Sequence, residues 1–110
     1  MSAPKPRPYT AEEAREMFLR HVRELARYWA ELPGNKTPRE RCDGLAFSIL
    51  VAIDGGSVAL PAFDLSLSPH PDDEAYLKSN GENWFETGMV INDCQLNEAF
   101  CRLNRGEVPR

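Results

Sequence analysis

The chain has 110 residues, 42% of them apolar and 27% charged, which suits one small globular domain and excludes a disordered chain. Its formal net charge is −4, and the only basic stretch free of acids is Lys5 with Arg7. That excludes nonspecific nucleic-acid binding, which needs a positive field to displace counterions, and the charge reads as too mild and too evenly spread for a DNA mimic.

No stretch approaches the roughly 20 apolar residues that cross a bilayer, and residues 1–9 lack the apolar region of a signal peptide. Membrane and nucleic acid are therefore not expected as partners. The cysteines are Cys42, Cys94 and Cys101. An odd count without CxxC spacing argues against a disulfide framework or a zinc knuckle, and free thiols fit a reducing cytoplasm. Cys94 and Cys101 are two helical turns apart, which puts them on one face if both are helical, as core or boundary thiols and not as a bridge.

In chain order, MSAPKPRPY (1–9) is Pro-rich, shows no periodicity and reads as a flexible arm before a single domain over 10–110. Thr10-Ala11-Glu12-Glu13 spells a capping box. Ala14, Met17, Phe18, Val22, Leu25, Ala26, Trp29 and Leu32 then recur at helical spacing, with His21 at the edge of the stripe, and Pro33-Gly34-Asn35 ends the helix. Thr37-Pro38-Arg39-Glu40 repeats the capping signal, with proline where its missing N–H costs nothing. Cys42, Leu45, Ala46, Ile49, Leu50 and Ile53 share a face of this second helix, and Phe47 and Val51 widen it, so it is expected to be the most buried element. The competing reading makes Ala46–Ile53 a strand, turned into a hairpin by Asp54-Gly55-Gly56; the capping box and the length favour the helix.

Ser57–Leu60 and Phe63–Leu67 read as extended. Phe63, Leu65 and Leu67 alternate with Asp64, Ser66 and Ser68, the pattern of a half-buried strand, and Pro61 marks a bend. A short acidic helix follows Ser-Pro-His-Pro, a loop runs through Gly81–Phe85, and Met89–Ile91 forms a short strand. Asp93 is placed to cap a last helix bearing Leu96, Phe100 and Leu103, with Arg102 and Arg105 toward its end and a polar tail to Arg110. The sum predicts an α+β fold: two long N-terminal helices, a small antiparallel sheet or hairpin, and short C-terminal helices.

The segment His70-Pro71-Asp72-Asp73-Glu74 resembles the signature of the LmbE-like (PIG-L) zinc deacetylases. That resemblance implies His70 and Asp73 as zinc ligands and Asp72 as general base on the metal-bound water. The family takes a third ligand from a downstream histidine and places the motif after a central parallel strand. Here no histidine follows His70, and the preceding FDLSLS alternates as a half-exposed strand does. The same letters also suit a helix start: Pro71 at the first turn, Asp72, Asp73 and Glu74 on the positive end of the helix dipole, and Ser68 or His70 as cap. More broadly, CDGLAFSILVAIDG with PAFDLSLSPHPDDEAYLKSNGENW resembles a group of short bacterial and phage-associated proteins. That likeness implies a bacterial or mobile-element origin and transfers no catalytic residue.

These readings favour a small cytoplasmic, non-enzymatic, protein-binding module without a cofactor, for example a phage or mobile-element inhibitor of a host system such as an anti-CRISPR. Its expected contact surface is the acidic segment from His70 to Glu86, with Asp72, Asp73, Glu74 and Glu82 facing a basic partner and Tyr76, Trp84 and Phe85 as anchors. Trp84 has a second reading, as a buried anchor of its loop. The alternative function is a zinc-dependent hydrolase built on His70, Asp72 and Asp73. A homodimer paired through a sheet edge is a further expectation.

Overall fold

In the computed structural model, which describes residues 5–106, every regular element among the described residues is a helix: α1 (Ala11–Glu31), α2 (Pro38–Ile53), α3 (Asp73–Ser79) and α4 (Leu96–Asn104). The first four residues of the arm and the end of the tail, with Arg110, lie outside the described residues. The chain forms two compact units, Met1–Ile49 and Leu50–Arg110.

In the first unit, local signals set both helix starts. Thr10 Oγ1 accepts from the Glu13 N–H at 3.1 Å, and the Glu13 carboxylate accepts from the Thr10 N–H at 2.9 Å. The Arg7 guanidinium grips the same carboxylate through two hydrogen bonds of 2.8 and 3.0 Å, so the last residues before α1 are tied to its first turn. Arg7 first, and the Thr10 N–H second, hold the Glu13 pKa down to about 2. Thr37 and Glu40 build the same reciprocal box on α2, each bond 3.1 Å. Along α1, Met17, Phe18, Val22, Leu25, Ala26 and Trp29 are half-buried while Arg15, Arg20, Arg23 and Arg27 are exposed, as the helical period demands.

Trp29 joins α1 to the first part of α2. Its indole N–H donates to Ser48 Oγ at 2.9 Å, and Arg41 donates to the Trp29 carbonyl at 2.7 Å. Gly44 lies directly against the indole, and a Cβ at that position would overlap the ring.

Residues Ala46–Ile53 are helical, and Asp54-Gly55-Gly56 is a helix terminator and not a hairpin turn. The Gly55 N–H donates to the Ala52 carbonyl at 3.2 Å and the Gly56 N–H to the Val51 carbonyl at 2.9 Å. With Gly55 at φ +89°, this is the Schellman motif, which satisfies carbonyls that the last helical turn leaves open.

The second unit overturns the predicted α+β class, because no strand or sheet forms among the described residues. Ser57–Leu60 is a turn: Ser57 Oγ accepts from the Ala59 N–H at 3.3 Å. The segment Phe63–Leu67 keeps the expected alternation of burial, with Phe63, Leu65 and Leu67 half-buried and Asp64, Ser66 and Ser68 exposed. It meets residues 88–91 through only three backbone bonds: Leu67 N–H to the Met89 carbonyl, Gly88 N–H to the Leu67 carbonyl, and Ile91 N–H to the Leu65 carbonyl. One isolated antiparallel bridge, Ser66 with Val90, is all that results. Asn92 stops the ladder, because its side chain replaces the next rung: Oδ1 accepts from the Leu65 N–H at 2.8 Å and Nδ2 donates to the Phe63 carbonyl. The sheet edge expected to carry a homodimer is absent with the sheet.

The last helix is capped from elsewhere than predicted. Asp93 does not cap it. Asp54 accepts from the Leu96 N–H at 3.0 Å through Oδ1 and from the Asn97 N–H at 2.9 Å through Oδ2. Ala52 and Leu60 are the buried apolar residues among those described.

Candidate functional site

The HPDDE segment folds into the turn that opens α3. His70 Nδ1 accepts from the Asp72 N–H at 3.1 Å, and Asp73 Oδ2 accepts from the His70 N–H at 3.2 Å. The Asp73 N–H closes the turn on the His70 carbonyl at 3.0 Å. Asp72 occupies the N-cap position without a side-chain cap bond, and Asp73 and Glu74 fill the first turn, where the helix dipole favours negative charge. A catalytic zinc takes three protein ligands, of which the resemblance implies only His70 and Asp73. Among the described residues no third His, Cys, Asp or Glu stands with them in a metal-holding group.

The residues expected to face a partner lie on α3 and the loop after it, and two local devices set the course of that loop. At the end of α3 the Gly81 N–H donates to the Lys78 carbonyl at 3.1 Å and the Glu82 N–H to the Leu77 carbonyl at 2.9 Å. This is a second Schellman turn, with Gly81 at φ +71° in the left-handed region that glycine enters without a Cβ penalty. The turn sends the chain back past the helix it has just left. At the other end, the three bonds between residues 88–91 and 65–67 hold the loop down. Residues 82–87 are thus fixed at both ends.

Within that frame Lys78 Nζ lies 4.5 Å from the Trp84 ring centroid, a cation–π distance, and 3.8 Å from Glu74 Oε2. Trp84 is 37% exposed, Tyr76 67% and Phe85 69%, so Trp84 is a partly covered surface residue and not a buried anchor. From residue 71 to 91 only Leu77 is other than exposed. An open cleft beside the loop is lined by Asn83, Trp84, Glu86 and Met89.

The charge is less even than a first count implies. Residues 70–86 hold five carboxylates, Asp72, Asp73, Glu74, Glu82 and Glu86, against one lysine, Lys78. They therefore carry a formal −4, which is the net charge of the whole chain; the remaining twelve acids and twelve bases cancel. This concentration of charge is present in the sequence itself, and Glu86 belongs to it. Composition does not reveal Lys78 or Met89: the contact of Lys78 with Trp84 spans the turn at Gly81, and Met89 lies beside Trp84 in a loop whose far end is held by the bonds to Leu65 and Leu67.

No family model, curated protein or solved structure matches the chain. Among the described residues no helix is long and apolar enough to cross a membrane.

Proposed function

We propose that the protein is a small binding module that docks residues 70–86 on a basic surface of a protein partner. One observation carries this reading: the chain's entire net charge and three exposed aromatic residues fall in the same held segment. Carboxylates at the rim steer a basic partner and set salt dependence, while exposed aromatic rings supply the area that dominates interface energy. A loop fixed at both ends loses little freedom on docking, which favours affinity. The resemblance to short bacterial and phage-associated proteins supports an inhibitor of a host system as the concrete version, with anti-CRISPR action as one example.

The test is capture from a bacterial host lysate with the full chain, compared across variants and salt. Wild type is expected to retain a basic protein at low ionic strength and to release it as screening grows. Trp84→Ala and the pair Glu82→Lys with Glu86→Lys are each expected to lose it. Equal retention by wild type and both variants would remove the segment from the interface.

A further inference from the structure

We propose that the Trp84 ring is a seat for an arginine side chain of the partner, and that Lys78 occupies this seat while the protein is alone. The inference rests on the reading above that residues 70–86 dock on a basic protein surface. Lys78 Nζ stands 4.5 Å from the ring centroid, inside the roughly 6 Å over which an aromatic face attracts a cation. The same ammonium group is 3.8 Å from Glu74 Oε2. An indole face and a carboxylate around one ammonium form a site whose chemistry accepts any basic side chain, and Lys78 is the one lysine or arginine among residues 70–86.

Arginine fits this seat better than a second lysine. Its planar guanidinium stacks flat on an indole and still directs its fork of N–H donors to a carboxylate. Trp84 keeps an approach open, being 37% exposed with Lys78 in place. The neighbouring cleft is lined by Glu86 as well as Trp84. Displacing Lys78 does not require α3 to unwind, since the lysine is exposed and the helix end is held by the backbone bonds at Gly81 and Glu82. Lys78 therefore acts as an internal competitor: it covers the ring in the free protein and lowers affinity for a basic ligand.

The probe is a hexa-arginine amide, with hexa-citrulline as its uncharged counterpart, titrated into the full chain at low salt and followed by calorimetry. Lys78→Gln is compared with Lys36→Gln, which removes one positive charge from an exposed site outside the segment and gives the same net charge. Lys78→Gln is expected to tighten hexa-arginine binding about two- to fivefold beyond Lys36→Gln, the size of an exposed cation–π contact. The extra gain should vanish when Trp84→Leu is added to both, and hexa-citrulline should not bind. Equal effects of the two glutamine variants, or a gain that survives Trp84→Leu, would overturn the seat and leave acidic docking standing. Failure of hexa-arginine to bind any of these proteins would overturn both.

Discussion

Asp54 Oδ2 accepts the backbone N–H of Asn97 at 2.9 Å, across 43 positions of sequence, and so the residue that ends α2 also begins α4. The two tasks use different atoms. The backbone at Asp54 enters the Schellman turn, which leaves its carboxylate free for Leu96, for Asn97 and for the Asn97 side-chain amide. Truncating an N-cap costs roughly 0.5–2 kcal/mol. Asp54→Ala is therefore expected to cost about 1–2 kcal/mol and to loosen α4 more than the rest of its unit. Hydrogen exchange read residue by residue checks this: the Leu96–Phe100 amides should lose protection while those of Leu77–Asn80, in α3 and its C-cap in the same unit, do not. Uniform loss, or none, would mean that the cap does not hold α4.

The same carboxylate sets a pH dependence. Burial pushes the Asp54 pKa up, but the hydrogen bonds from the Asn97 N–H, the Leu96 N–H and the Asn97 side chain outweigh it and hold the pKa below its ordinary value of 3.8. A carboxyl depressed by folding adds stability that is fully present above its unfolded pKa and is lost as pH falls through the folded one. α4 is thus expected to be insensitive to pH from neutrality down to the ordinary aspartate range and to loosen below it. Asp54→Asn should flatten that acid limb. An α4 that loosens near pH 6 in wild type would assign the transition to another group.

What was legible in the sequence was local. The two capping boxes each need only four consecutive residues, and both form. The alternation of Phe63, Leu65 and Leu67 is local too, and their burial follows it, but a strand needs a partner ladder, and nothing in FDLSLS announces that Asn92 will end the pairing. Asp54-Gly55-Gly56 reads equally as a hairpin turn or a helix terminator, since both need a glycine at positive φ; what separates them is whether the preceding residues are helical. Asp93 stands next to α4 in sequence and has the right side chain for a cap, whereas the actual acceptor, Asp54, is brought in by tertiary folding. At the candidate site, the acids and aromatics were legible as types, and the concentration of charge was present in the sequence to be counted. The seating of Lys78 on Trp84 depends on the left-handed turn at Gly81, which no short-range pattern places.

Gly44 tests the packing within the first unit. Replacing a mid-helix glycine by alanine gains up to about 1 kcal/mol from helix propensity alone. Here the new methyl group would overlap the Trp29 indole, a rigid ring also held by its bond to Ser48. Overpacking of this kind costs roughly 1–3 kcal/mol, so the net sign is expected to be destabilising. Gly44→Ala should lower the urea midpoint, and Gly44→Ala with Trp29→Leu should recover part of the loss. A Gly44→Ala protein more stable than wild type would show that the indole moves aside freely.

The HPDDE turn makes the last prediction, which concerns metal. His70 Nδ1 and Asp73 Oδ2 both face backbone N–H groups of their own turn, and the His70 side chain is 67% exposed. Exposed substitutions of this kind usually change stability by no more than about 0.5 kcal/mol. A zinc held at about 100 times its Kd would add roughly 2.7 kcal/mol, several degrees of melting temperature in a small protein. His70→Ala is therefore expected to melt within about 4 °C of wild type, and added zinc should shift neither protein. Elemental analysis after dialysis checks the same point independently. Zinc retained in equimolar amount by wild type and lost in His70→Ala would show that the imidazole serves a cation and not the turn, and would return Asp72 to consideration as a base.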